Sequence, residues 1–361
     1  MKPSSELLPH AVYVRELRPL LPAEAFAAQP SQLWVILGHY LIVITGFLLL
    51  RLQPQWGLCI LASLLIGHSF GCIGFLAHDL SHNSIVKNRT VRSVLEAFLW
   101  ATILIPATMW KRVHNQSHHV ETNTLNDPDR ECLESEKRFS TLLYSRTFYP
   151  HRKTIRWNPM VGFHLIPYVI RNVVAALFQG VTEPVIVPFT PIYSLRQRVT
   201  IFLELLLALG MQVGVFFAVG GRWREWVWAS PSAYLVTSTV VMAYIFTNHF
   251  LNPLCEHSDP VVGSTSVEVP KFFDVLHDNF SYHTEHHLFP GMNPKYYPLV
   301  CRLLRDKFSN RYNRLSLWEA WRRLWDREEF IHTESKFHST SSPPLPLIQN
   351  ENAIIERTNK Q

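Results

Sequence analysis

Charge is scarce in this chain, and paired cysteines and nucleotide-binding loops are missing from it. Asp, Glu, Lys and Arg make up 17% of the 361 residues, while 47% are apolar; an average soluble domain carries about 25% charge. The shortage is local: apolar blocks nearly devoid of charge alternate with strongly basic stretches. The five cysteines, Cys59, Cys72, Cys132, Cys255 and Cys301, form no C-x-x-C pair, and two lie inside apolar runs. That pattern excludes a disulfide framework and predicts reduced thiols facing a reducing compartment. No G-x-G-x-x-G is present, so no bound nicotinamide or flavin domain is expected. The absence of H-E-x-x-H argues against a zinc metalloprotease. No RNA-binding or zinc-finger pattern accompanies the net charge of +6, so nucleic acid is not an expected partner. The basic stretches point instead to anionic lipid headgroups or an acidic protein. The opening M-K-P-S-S-E-L-L-P-H is too polar and proline-broken for a secretory signal.

What the chain does have is apolar length. Four segments, about 33–50, 58–77, 199–220 and 232–251, are long enough to cross a bilayer as helices, which takes about 20 residues. The first two are joined by R-L-Q-P-Q-W-G and the last two by G-R-W-R-E-W-V-W-A-S-P, so each pair forms an antiparallel hairpin. Tryptophans in the second link suit an interfacial belt, and Glu204 can sit at the headgroup level. Of the 34 Lys and Arg, only Arg51, Arg222 and Arg224 lie in the short links. By the positive-inside rule the N-terminus, residues 78–198 and residues 252–361 are therefore cytosolic. Residues 94–110 carry Glu96 and are broken by Pro106, while 160–180 contain His164, Pro167 and Arg171. Both are expected to be re-entrant or in-plane interfacial helices. Trp318, Trp321 and Trp325 recur at helical spacing, which predicts an amphipathic interfacial or core-packing helix over 315–330. The expected fold is an all-α integral membrane protein. It has four transmembrane helices in two hairpins, one or two interfacial helices, and a cytosolic helical cap carrying a di-metal site. Residues 1–32 form a cytosolic or interfacial segment, 33–336 the membrane domain, and 337–361 a disordered tail.

The cap expectation rests on histidine. Of 18 histidines, eight fall in three tight clusters: His78 and His82 in H-D-L-S-H, His114, His118 and His119 in H-N-Q-S-H-H, and His283, His286 and His287 in H-T-E-H-H. On a helix, positions i, i+3 and i+4 share a face, so each cluster can aim its rings at a common point, with His119 serving a neighbouring ion. Each triple cluster has a chance expectation of roughly 0.04 in a chain of this histidine content. All three also fall on one predicted side of the membrane, so metal ligation is a better account than a polar surface. Eight imidazoles are too many for one ion and suit two octahedral-leaning ions with positions left open. Imidazole alone does not choose among Zn, Cu, Fe and Ni. Neutral rings leave the metal charge uncompensated. Asp79, Glu121, Asp127, Asp129, Asp278 and Glu285 are therefore candidates to orient ligand N–H groups.

The order H-x-x-x-H, H-x-x-x-H-H, H-x-x-H-H, interrupted by two membrane hairpins, resembles the membrane fatty acid desaturase superfamily, which also holds hydroxylases and carotenoid ketolases. The resemblance covers roughly 30–300, with H-D-L-S-H-N at 78–83, H-N-Q-S-H-H-V-E-T-N-T at 114–124, D-P-D at 127–129 and N-F-S-Y-H-T-E-H-H-L-F-P-G-M at 279–292. It implies two non-haem irons, O2 as co-substrate, and the eight clustered histidines as ligands. It further implies hydrogen-atom abstraction that places a double bond in a fatty acyl chain entering a buried tunnel, whether carried on lipid, CoA or acyl carrier protein. His249 matches the place where the family often supplies a further ligand, although residue 245 is Ile where relatives carry Asn. The first histidine of the third box is His283, where front-end desaturases fused to cytochrome b5 commonly have Gln, and no H-P-G-G haem module is present. Electrons are therefore expected from a separate ferredoxin- or cytochrome b5-type protein. The same centre also serves hydroxylases and ketolases of acyl, sphingoid or carotenoid substrates, which the ligand motifs do not separate from desaturases. A membrane metal transporter would place its ligands along a path across the bilayer, and here they cluster beyond the ends of spans. A non-catalytic metal-storing or regulatory membrane protein is the other reading outside the enzymes. His39 and His68, inside predicted spans, are expected to serve packing or a substrate tunnel. His151, His164, His257 and His277 are expected to be ordinary polar residues.

Overall fold

The structure, a computed structural model, describes residues 7–124, 126–129, 164–178, 193–253 and 255–326. The expected tail at 337–361, together with Cys132 and His151, lies outside the described residues. A short helix α1 (His10–Leu17) precedes the first hairpin, α2 (Gln32–Arg51) and α3 (Trp56–Ser81). At 26 residues, α3 exceeds the bilayer requirement by about 9 Å of helix, which carries its C-terminal end toward the cap. Next come α4 (Arg89–Thr102), α5 (Ala107–Val113), a π turn at His114–His118 and the single turn α6 (His119–Glu121). Helix α7 (Leu165–Phe178) follows. The second hairpin is α8 (Leu195–Ala218) and a bent span of α9 (Trp223–Val227), a π turn holding Pro231, and α10 (Ala233–His249). The remaining elements are β1 (Ser266–Glu268), α11 (Lys271–Leu276), α12 (His283–Leu288), α13 (Tyr297–Lys307), β2 (Arg314–Ser316) and α14 (Leu317–Asp326).

Among the described residues, four helices are therefore long and apolar enough to span a membrane, in the two hairpins read from the sequence. Their outer faces expose Leu37, Leu41 and Leu48 on α2 and Phe202, Leu206, Leu209 and Val213 on α8. The two short links touch, with Arg222 Nη2 donating to Arg51 O at 2.7 Å, so they lie on one side as expected. The second link is shorter than its tryptophans suggest. Helix resumes at Trp223, and the turn is confined to Val219–Arg222, where Gly220 and Gly221 adopt φ of 97° and 70°. Glu225, buried there, is held by Arg222 at 3.2 Å.

The stretch around Pro106 is a broken pair, with α4 and α5–α6 bent by 94°. Pro106 starts α5, and Leu104 takes a left-handed φ of 61° at the bend. Glu204, read as a headgroup-level residue, instead caps α5. It accepts from Thr108 N at 2.9 Å and Thr108 Oγ1 at 2.8 Å. Helix α7, at 14 residues, is about 21 Å long and too short to cross. The architecture is mostly helical, with one departure: β1 and β2 pair in parallel, Val267 opposite Leu315.

Helix α3 is the pillar against which α2, α4 and α10 pack. Its contact with α10 is so close that a Cβ at Gly67 would lie 2.3 Å from Ala233 O. The cap has its own core, in which Tyr13 and Leu17 of α1 meet Leu288, Met292 and Val300. Asp259 fastens that core, accepting from Tyr13 OH at 3.0 Å, Leu8 N at 2.8 Å and Arg311 Nη2 at 2.5 Å. Residues 10–26 are thus built into the cap. Trp321 of α14 donates its Nε1 hydrogen to Ala243 O at 3.1 Å, so the tryptophan helix packs on α10.

Gly67→Val should separate α3 from α10 at an overpacking cost of about 1–3 kcal/mol. A lower thermal-unfolding midpoint in detergent is expected, and an unchanged midpoint would refute the close approach.

Candidate metal centre

Nine histidines converge on two neighbouring points, His78, His82, His114, His119 and His286 on one and His118, His249, His283 and His287 on the other. Each ring comes from an element whose local geometry explains its aim. His78 lies one turn before His82, which sits just past the end of α3. His114 to His118 form the π turn, whose i→i+5 repeat brings His114 and His119 to one face and leaves His118 on the other. On α12, His283 and His287 are four apart and go together, while His286, about 100° of helix turn from His287, points to the other set. The expected grouping is thereby corrected for two boxes: His118, not His119, parts from His114, and the third box has no common point. Boxes two and three each feed both sets.

The ring nitrogens meet as ligands of shared ions would. His249 Nε2 lies 2.6 Å from His283 Nε2, and His287 Nε2 lies 3.1 Å from it. His119 Nε2 lies 3.2 Å from His114 Nε2 and 3.1 Å from His286 Nε2. Two nitrogens bound at right angles to one ion at about 2.1 Å would be about 3.0 Å apart. The Nε2 atoms of His78 and His82 are buried with no hydrogen-bond partner, a costly arrangement that a metal would relieve. Several opposite nitrogens are tied down. His78 Nδ1 meets Asp79 at 2.9 Å, His118 Nδ1 meets Asp127 at 2.8 Å, and His114 Nδ1 meets Asp129 at 3.2 Å. Held this way, the Nδ1 hydrogen faces the carboxylate and Nε2 is left as the donor.

A family model described as fatty acid desaturase matches residues 54–318. The chain belongs to the fatty acid desaturase family. It is 22% identical over 368 residues to the chloroplastic omega-6 fatty acid desaturase of Brassica napus, covering 95% of this chain and 77% of the relative. It is 22% identical over 265 residues to the Delta(12) fatty acid dehydrogenase of Crepis alpina, covering 71% and 68%. A shorter match, 28% identical over 125 residues, is to the chloroplastic omega-6 desaturase of Spinacia oleracea and spans 34% of this chain and 27% of that one. With this membership and its four apolar spans, the chain is an integral multi-pass membrane oxidoreductase of the desaturase class.

Three of the six acids singled out in the sequence of this desaturase hold no histidine. Glu121 accepts from Thr124 Oγ1 at 2.8 Å. Asp278 accepts from Gln32 Nε2 at 2.7 Å and lies beside Asp79, and burial first, then Asp79, pushes its carboxyl well above the usual carboxylate range. Glu285 is fully buried, bonded by Ser266 Oγ at 2.5 Å and by the Tyr312 hydroxyl, so it ties α12 to the β1–β2 ribbon. Burial raises its carboxyl too. Two holders escape sequence spacing altogether: Tyr297 OH meets His286 Nδ1 at 3.2 Å, and Thr122 Oγ1 meets His287 Nδ1 at 3.3 Å. Tyr297 carries no motif that would have flagged it. Thr122 does lie inside the H-H-V-E-T run.

His283, His286 and His287 are held well below the ordinary imidazole value, first by burial and then by neighbouring imidazoles. They are neutral and ready to ligate. Because their folded pKa lies below the unfolded one, unfolding takes up protons as pH drops below about 6.5. Metal-stripped protein should therefore melt lower at about pH 5.5 than at about pH 7.5, the lowered imidazoles outnumbering the raised carboxyls of Asp278 and Glu285, which pull the other way; an equal or higher midpoint in acid would contradict the neutral cluster. Asp127→Ala should release His118 and weaken metal binding about 10–100-fold in a chelator-competition titration. Unchanged affinity would remove Asp127 from any supporting role.

Proposed function

We propose that this protein is an O2-dependent di-iron desaturase that introduces a double bond into a fatty acyl chain, with His78, His82, His114, His119 and His286 holding one iron and His118, His249, His283 and His287 the other. The single observation that carries this is the five-and-four division of nine histidines, eight of them buried and His119 partly so, set close enough for rings from different boxes to touch. When bound, such a pair supplies O2 activation and the oxidising power to take hydrogen from an unactivated methylene. The chain's own residues do the rest. Asp79, Asp127, Asp129, Tyr297 and Thr122 hold rings at Nδ1 and keep them aimed. Burial of the rings keeps water from the site, and the acyl chain must be held so that one methylene pair is presented. The overall conversion removes two hydrogens from adjacent methylenes. With O2, two electrons and two protons it yields an alkene and two waters. No nucleotide-binding fingerprint occurs in the sequence, which supports a separate electron donor of ferredoxin or cytochrome b5 type. That only three of the 34 Lys and Arg, namely Arg51, Arg222 and Arg224, lie in the short links supports a cytosolic cap, and with it cytosolic termini.

Purified protein is expected to hold about two irons per chain, and lipid profiling after expression in a host with defined acyl chains should reveal a new unsaturated product. His118→Ala and His286→Ala should each abolish that product without loss of membrane insertion. Protein that holds zinc and no iron, or activity surviving His286→Ala, would overturn the assignment, and a hydroxylated product would reassign the chemistry at the same centre.

A further inference from the structure

Another group of metal-ligating side chains sits apart from the nine histidines: His68 and Cys72 on α3, and His277 just after α11. His68 and Cys72 are four residues apart and so share a helix face. His68 Nε2 lies 3.0 Å from His277 Nε2, the same nose-to-nose approach seen between His119 and His286. His277 Nδ1 meets the Tyr244 hydroxyl at 2.8 Å, as His286 Nδ1 meets Tyr297. Cys72 Sγ lies 3.7 Å from His68 Nδ1 and 4.0 Å from His68 Nε2. A thiolate and an imidazole on one tetrahedral zinc would be about 3.6 Å apart and two imidazoles about 3.3 Å. Closing the site takes a few tenths of an ångström between Nε2 and Sγ and a turn of the His68 ring that carries Nδ1 away from the sulfur. His39, buried on α2 and coupled electrostatically to both histidines, has an Nδ1 with no hydrogen-bond partner.

We propose that His68, Cys72 and His277 form a separate mononuclear site for one borderline-soft divalent ion of the zinc class. Two imidazoles and a thiolate are the donor set such ions select, with a fourth position left for water or His39. Binding displaces the Cys72 thiol proton to solvent. The proton between the two Nε2 atoms shifts to His68 Nδ1, the ring nitrogen that does not ligate. The ion would staple α3 to the turn that begins six residues before His283. There Asp278 and Asn279 hold left-handed φ of 52° and 56°. Phe75 and Phe280, stacked at 4.3 Å, stand between this site and the nine histidines, with Phe75 against His277 and Phe280 against His78.

The test uses the full chain in detergent. Elemental analysis should find about one zinc per chain in addition to any iron. Cys72→Ser and His277→Gln should each lose that zinc and leave the iron content unchanged. Metal-stripped protein refilled with cobalt(II) should show a sulfur-to-cobalt charge-transfer band that Cys72→Ser abolishes, since neither nine-histidine set contains sulfur. No retained zinc and no such band would mean that the two imidazoles merely share a proton, and a band that survives Cys72→Ser would place the thiolate elsewhere. Either result overturns the proposal. Should Cys72→Ser fail to fold, the wild-type cobalt spectrum together with His277→Gln decides. The zinc count does not depend on iron, so a chain without iron would refute the di-iron reading and leave this one standing.

Discussion

An imidazole offers a lone pair to an ion only when its ring is neutral and its other nitrogen holds the proton. Nine such rings packed side by side would repel one another if charged, and would leave many buried nitrogens without partners if idle. Much of the cap answers this constraint. The D-P-D stretch turns so that Asp127 Oδ2 receives Asn123 N at 2.7 Å, while its Oδ1 receives Asp129 N at 2.9 Å and also meets His118. Tyr168 of α7 in turn steadies Asp129 at 3.0 Å. Tyr13, Asp259 and Arg311 lock the outer cap, so that α12 is closed off from solvent.

The π turn is the second device. An uninterrupted α-helix would place His114 and His118 on one face and throw His119 about 100° aside. The added residue per turn regroups them as His114 with His119, against His118. The second box can then reach both sets, as the third box does through ordinary helical spacing. Trp110 stacks on His114 at 4.4 Å, fixing the ring before the turn begins. On the membrane side, Gly67 lets α3 and α10 approach closely enough to bring the end of α3 level with His249 and the third box.

Much of this was legible in the primary structure, for identifiable reasons. Apolar length marks a span without knowledge of neighbours, so both hairpins could be placed from the sequence. Their ends could not: tryptophan and arginine after Gly221 read as a link, because the ion pair that lets Glu225 enter a helix needs Arg222 in space. Histidine density announced a candidate metal centre. Glu285 looked like part of it because it lies between ligating rings, and only the positions of Ser266 and Tyr312 show that it fastens α12 to the ribbon. Tyr297 lacked any pattern, and Thr122, although inside the second box's run, was passed over, since a single hydroxyl gains meaning only from the nitrogen opposite it.

Local spacing along the chain thus determined which residues are metal-ligating in character, how many helices are apolar enough to span, and which ends of those helices share a side. Those properties depend on residue type and periodicity alone. The partition of nine histidines into five and four was decided by tertiary structure. So were the choice of holder for each ring and the meeting of His68 with His277, 209 residues apart. Each depends on which way a ring faces after helices from distant parts of the chain have packed, and a one-residue change of helical register in the π turn is enough to redirect it.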